Sequence, residues 1–463
     1  MSARKVGLLI LILGFGAAIE TAWSVRNHLN IGPSGCRVLG GKFYGTSYRF
    51  EEEATRALAA DGRVKVTNAF GDVRVRAGSE NEVRVVLAKV VYLPTEDKAR
   101  DFAGGIKLLA EEGGSGLLVS TNRDELTRRR DEVGFETHLT LDVPPGAFVV
   151  IKNDHGEVEV VDVARTEIDS SFDSVRVERI GGATDVKSRH GDVVVSSVKG
   201  TLALHSRHGG VEAKDVGGNA TLDVQHGDVT VEKAGGLHVV VAHGSLTVSE
   251  ILGDLDIQGR HGEVKVSRVS GSARVSASFG ALTVSEVGGD ARLEVERGHL
   301  EATDVKGQLD AKARFDRVTL ERIGGPVVVS VEHGGVTGHD LGKGVRAKVS
   351  GDEVELDGFE GPIEIDVARG AVTLRPQRAI TESVSVKTSN GAIRLDVPGA
   401  SRFDLEARVR RGEIAIDVPG FSATETTSQV VKGTLGTGGP SVRLHAEGGD
   451  VTVEGSTVRA YKE

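Results

Sequence analysis

The sequence predicts an all-β fold, a single-stranded parallel β-solenoid with about 18 residues per coil, preceded by an N-terminal apolar helix. Three observations carry that expectation. A turn residue recurs at nearly constant spacing. Apolar residues alternate on both sides of it. The composition suits short strands and tight turns: of 463 residues 62 are Gly, roughly twice the usual share, and only 4% are aromatic.

The turn residues are Gly156, Asp173, Gly191, Gly209, Gly227, Gly244, Gly262, Gly280, Gly298, Asp316, Gly334, Asp352 and Gly370. Successive gaps are 17, 18, 18, 18, 17 and then 18 seven times. Two residues after each comes Val or Leu in all thirteen copies, and seven after, the residue is apolar in twelve. Nine after, Gly stands in ten of thirteen, as at Gly182, Gly200 and Gly218. Spacing by two places side chains on one face of a strand. No copy is long enough to bury its own apolar face, so copies must stack. Thirteen coils at about 4.8 Å make a rod of roughly 60 Å. A mix of Gly and Asp in the turn column predicts positive φ there, which Gly adopts freely and Asp tolerates.

Along the chain, residues 1–25 read as a signal-anchor or a signal peptide. Arg4 and Lys5 precede an apolar run from Val6 to Ile19, and Trp23 is placed for a membrane interface. Gly16 and Ala18 frame a cleavage site in the second reading. Both readings put the bulk of the chain on the extracytoplasmic side. Residues 26–60 are expected as a juxtamembrane linker containing the sole cysteine, Cys36, which excludes an internal disulfide. Residues 61–150 read as an N-terminal β cap module, with a turn at Phe70-Gly71-Asp72 and a helix-compatible stretch from Thr95 to Ala110. Residues 151–380 hold the regular coils. In 381–463 the spacing loosens, with Gly391 and Gly412 each 21 residues on, giving irregular coils and a cap.

The recurring Asn/His-Gly-Asp/Glu-Val-x-Val, the ending Gly433-Thr434-Leu435-Gly436-Thr437-Gly438-Gly439-Pro440, and the final Gly449-Asp450-Val451-Thr452-Val453 resemble the bacterial "putative adhesin" families of unknown function. The resemblance spans about residues 60–460. It implies a β-strand repeat solenoid on the outer side of a bacterial membrane, and it brings no functional residues.

The residue before the turn is His155, His190, His208, His226, His243, His261 or His333 in seven coils, and Phe172, Phe279, Phe315, Arg297 or Arg369 in others. Stacked coils would make His190, His208, His226, His243 and His261 a ladder. Neighbouring imidazoles suggest a transition metal. Phe in the same column favours stacking instead, with the column on the core-facing parity. Acidic residues after the turn, Asp192, Asp228 and Glu263, lack the nine-residue calcium repeat. No catalytic triad order, phosphate loop or Cys/His metal spacing occurs, so no catalytic residue, metal or cofactor is expected. A net charge of −10 argues against nucleic acid. The expected partners are the membrane, other envelope proteins and cell-surface glycans. The leading expectation is a non-catalytic, envelope-anchored adhesin-like or scaffolding module. The alternatives are a glycan-processing β-helix enzyme and a scaffold that polymerises by coil stacking.

Overall fold

In rung 184–198, Thr184, Val186 and Ser188 point inward from the strand Thr184–His190, and Val193, Val195 and Val198 from Val193–Val198. Each strand pairs in parallel with its equivalent one coil on, with Val186 opposite Leu204 and Val195 opposite Ala213. This is a computed structural model, and it describes residues 45–114, 116–129 and 133–456. The N-terminal apolar run, Arg4, Lys5, Trp23 and Cys36 lie outside the described residues. Among the described residues no helix is long and apolar enough to cross a membrane.

Each coil therefore has two strands, and the strands build two parallel stacks whose inner side chains meet in one continuous core. The turn between them has positive φ at eleven of the thirteen expected positions, Gly334 and Asp352 being the exceptions. Asp173 and Asp316 adopt positive φ as expected, but what they tolerate does not extend to every glycine of the column. Asp173 and Asp316 sit at φ 74° and 91°, whereas Gly227 sits at 144°. A Cβ at Gly227 would overlap the carbonyl oxygen of Gly209 in the coil below. The glycine is required by close packing between coils as well as by its dihedral.

The second corner holds a feature with no common letter. Asp162, Arg179, Ser197, Asp215, Lys233, Glu250, Arg268, Glu286, Asp304, Arg322 and Asp340 all have φ between 52° and 64°. These non-glycine residues lie in the left-handed region, which costs about 1–2 kcal/mol each. The local reversal breaks the two-residue alternation. The inward positions become two, four and seven after the turn, so Val198, Val216 and Val269 enter the core. Burying each such side chain contributes about 1.5–3 kcal/mol, which offsets the strain. Charges along this column also pair from coil to coil, as Arg179 does with Asp162 at 2.7 Å and Lys233 with Asp215 at 2.7 Å. Those exposed pairs add little.

At both ends the order of rungs in space differs from the order in the chain. Near the N-terminus, Arg63–Asn68 lies between Gly116–Thr121 and Phe148–Asn153, parallel to both. Val73–Ala77 lies between Phe135–Val143 and Val158–Val161. The first rung in sequence is thus the second in space. Antiparallel strands close the stack outside it: Glu82–Leu93 on Phe135–Val143, Thr46–Ala57 on Glu82–Leu93, and Leu108–Gly113 on Gly116–Thr121. The C-terminus repeats the device. Ser441–Ala446 is inserted between Val384–Asn390 and Phe403–Val409, and Val451–Ser456 between Ile393–Pro398 and Ile414–Asp417. The antiparallel pair Val430–Leu435 and Phe421–Thr426 covers the last rung on one side.

Two expected boundaries change. Residues 46–57, placed in a linker, form a strand, because the alternation in Thr46–Ala57 lets it pair along its whole length with Glu82–Leu93. Within 61–150, residues 63–77 belong to the solenoid itself and the rest folds around its end. The helix-compatible stretch is a helix over Glu96–Gly105, with Ala99, Phe102 and Ala103 buried. The buried Lys89 caps its end, donating from Nζ to the Ala103 carbonyl at 3.2 Å and the Ile106 carbonyl at 2.5 Å, and pairing with Glu52 at 2.6 Å.

Candidate functional site

The residue before each turn stacks on its counterpart one coil away. Ring centroids are 4.9 Å apart for His190–His208 and His208–His226, and 4.8 Å for His226–His243 and His243–His261. Their planes lie within 4–6° of parallel. Phe172 continues the file on one side and Phe279 on the other, at 5.0 and 4.8 Å. Beyond Phe172 come His155 and then Phe70, whose face is covered by the Arg123 guanidinium at 5.0 Å. Beyond Phe279, Arg297 bridges to Phe315 at 5.3 and 5.4 Å, and His333 follows. Phe70 and Arg123 were missed by sequence reasoning. The letters before Gly71 carried the signal for Phe70, since it fills the same position relative to its turn.

The file is exposed, which corrects the core-facing expectation. Its parity is that of the buried Ser188 and Ser206, but the chain has already reached the corner at His190 and His208. The opposing stack begins only at Val193 and Val211, so nothing covers the ring edges. Of the five exposed large hydrophobic residues among the described residues, Phe172, Phe279 and Phe315 belong to this file. Ring faces are stacked on neighbouring rings, and the five histidines His190, His208, His226, His243 and His261 are nonetheless exposed residues. Burial by these neighbours, then the adjacent His226 and His190 and then Arg207, holds His208 below the ordinary imidazole range. His243 is held down likewise by burial, His226, His261 and Arg260.

This arrangement suits stacking and is poorly suited to a metal. Imidazole lone pairs lie in the ring plane, and a bound ion would sit about 2.0–2.1 Å from nitrogen in that plane. Parallel rings aim those lone pairs side by side, not at one point. Among the described residues no group of three or more His, Cys, Asp or Glu could hold an ion. The acidic turn residues are engaged in the fold. Asp192 Oδ1 accepts the Gly210 N–H at 2.8 Å, Asp228 Oδ1 accepts the Ser245 N–H at 2.8 Å, and Glu263 pairs with Lys265 at 2.8 Å.

A groove of about 810 Å³ runs over the outer face of the first-strand stack, past Asp254, Asp256, Arg274, Asp290, Arg292 and Asp310. Its carboxylates have local partners. Asp254 and Asp290 accept backbone N–H groups of Ser272 and Gln308 at 2.9 and 2.8 Å, and Asp256 faces His238 at 3.3 Å.

A partly buried polar cluster closes the N-terminal end beside Phe70. His138 Nε2 is 2.9 Å from Glu136, and Nδ1 is 3.3 Å from the Asp72 carboxylate and 3.1 Å from the Asp72 N–H. Nδ1 therefore has a partner in either protonation state. Burial pushes His138 down, but hydrogen bonds and charge from Asp72 and Glu136 outweigh it and raise the group to about 9. Glu136 also accepts the Tyr92 hydroxyl at 2.9 Å, and burial with that carboxylate raises the phenol. Arg123, lowered to about 10 by burial, donates to the Phe135 carbonyl at 2.6 Å.

The last regular rungs and both inserted strands at the C-terminus coincide with a family match. Residues 343–454 match the family Toastrack DUF4097. The repeat resemblance seen in the Gly-Asp-Val-x-Val element and the ending is thereby met over the toastrack segment. The rungs before residue 343 continue the same two stacks without a break, since Val327–His333 pairs with Val345–Val349. A solved structure described as a "putative cell adhesion protein" from Clostridium sporogenes ATCC 15579 is 8% identical, with 88% of this chain and 100% of that chain covered and a TM-score of 0.14. A score of that size carries no argument. No curated protein matches the chain.

Proposed function

We propose that the chain is a non-catalytic, envelope-anchored rod that acts through its long lateral faces as an adhesin-like or scaffolding module. One observation carries the reading: a single core runs the length of the described stack, with antiparallel strands over the N-terminal rung and over one side of the C-terminal rung. What remains for recognition is the side of the rod. Polymerisation by coil stacking would need open terminal rungs. Here the outermost N-terminal strand carries Glu51, Glu52 and Glu53, and the C-terminal edge strand Ile414–Asp417 is only four residues long. A glycan-processing enzyme would need free, grouped carboxylates, whereas Asp254, Asp256 and Asp290 of the groove already serve neighbouring coils. The match of residues 343–454 to Toastrack DUF4097 is compatible with this reading and names no ligand.

The anchor rests on Arg4, Lys5 and the apolar run that follows. Protease added to spheroplasts should digest residues 61–463 while the membrane stays intact. Full protection of that segment would overturn the topology, and cross-linking of intact envelopes would then identify what the lateral faces contact.

A further inference from the structure

The ring file lies on an acidic chain, yet its own surroundings are basic on the side toward the strand. Arg189, Arg207 and Arg260 each precede a file histidine. Among the described residues Arg207 and Arg260 form no ion pair, and Arg189 is 3.7 Å from Asp169 while donating to the Ser171 hydroxyl. On the other side stand Asp192, Asp228 and Glu263, already committed to Gly210, Ser245 and Lys265. Protonating the five imidazoles would create a line of positive charge repeating every 4.8–4.9 Å.

We propose that the edge carrying His190, His208, His226, His243 and His261 binds a linear acidic polysaccharide when its imidazoles are protonated. The site has the shape of its ligand. Charge recurring along a straight edge fits a polymer whose carboxylates also recur, and does not fit a compact anion. The ring faces are occupied by one another, so bases have no aromatic platform, which disfavours single-stranded nucleic acid. The exposed ring edges present N–H donors, and a carboxylate accepts them in charge-assisted hydrogen bonds. Burial first and then repulsion from neighbouring imidazoles depress His208 and His243; an approaching polyanion relieves the second, so binding and protonation reinforce each other. The inference gives the surface-module reading a ligand class. Its test uses purified protein and so fails or succeeds independently of membrane topology.

The full chain in neutral detergent is titrated with polygalacturonate at about pH 5.5 and pH 7.5, bracketing the imidazole range, with dextran and oligothymidylate as comparisons. The expected result is binding at least about tenfold tighter at the lower pH, weakened by salt, and absent for dextran. In H208F/H226F/H243F the stack persists, because Phe172 and Phe279 already occupy it, and the pH dependence flattens. R207Q/R260Q, which leaves every ring of the stack in place, weakens binding at both pH values while binding stays tighter at the lower one, and gives a reading even if the triple variant fails to fold. No binding at the lower pH, an unchanged pH profile in a folded triple variant, unchanged affinity in R207Q/R260Q, or equal affinity for oligothymidylate would each overturn the proposal.

Discussion

At the scale of single residues, Gly227 and His138 give the sharpest consequences. Gly227 has φ 144° and no room for a Cβ against the Gly209 carbonyl. Ala, Asp and Val there meet the same overlap, so all three should destabilise by about 2 kcal/mol or more. Chemical denaturation of the full chain in detergent measures this, and an Asp variant as stable as wild type would contradict the account. The Gly column was legible in the sequence, but its second cause was not, because contact between coils leaves no mark on spacing. For His138, the folded group titrates near 9 against an ordinary 6.5. The stabilisation from its charged form is fully present below about 6.5 and is lost as pH rises through about 9. It amounts to a few kcal/mol at most. His138→Gln should lower stability at neutral pH and remove the loss on alkalinisation over that window. A parallel decline in both proteins would assign the alkaline loss to other groups. The position of His138 beside Asp72 was hidden from sequence reasoning, since 66 residues separate them and only the swapped first rung joins them.

Elements show where periodicity stops informing. The two strands of each coil follow from the alternation around the turn, and the thirteen aligned turns foretold the parallel pairing. The left-handed corner column did not appear, because Asp, Arg, Ser, Lys and Glu share no letter, though the shift from two and four to seven in the apolar positions was its trace. The order of the terminal rungs was illegible for a different reason: once spacing loosens after Gly370, sequence adjacency no longer implies spatial adjacency. That order has a direct consequence. Arg394 is in register with Thr452, and Thr452 with Ala415, so Thr452 lies between the other two. Neighbouring rungs are about 4.8 Å apart, within disulfide reach, and next-nearest rungs at about 10 Å are beyond it. With Cys36 replaced by Ser, Arg394→Cys/Thr452→Cys should oxidise to a disulfide, and Arg394→Cys/Ala415→Cys should remain reduced. The reverse pattern would mean that the rungs stack in chain order.

The described rungs form a single stack, from the rung 116–143 at one end to the rung 403–417 at the other. Because each rung rests only on its neighbours, the covered N-terminal rung and the half-covered C-terminal rung flank an otherwise repetitive interior, and lateral recognition does not disturb the core. The ring file, the left-handed column and the polar groove are all consequences of repetition: one side chain per coil, placed once and then copied upward. Direct measurement of that repetition is available from spin labels on one outward column, with Cys36 replaced by Ser. Thr230, Thr283, Thr337 and Thr373 share a register position through successive parallel pairings. Relative to Thr230 they lie three, six and eight rungs away, so backbone separations should be about 14, 29 and 38 Å. Distances that rise linearly with rung number in pulsed electron–electron resonance are the predicted result. Distances that level off or fall back between the second and third pair would contradict a continuous rod.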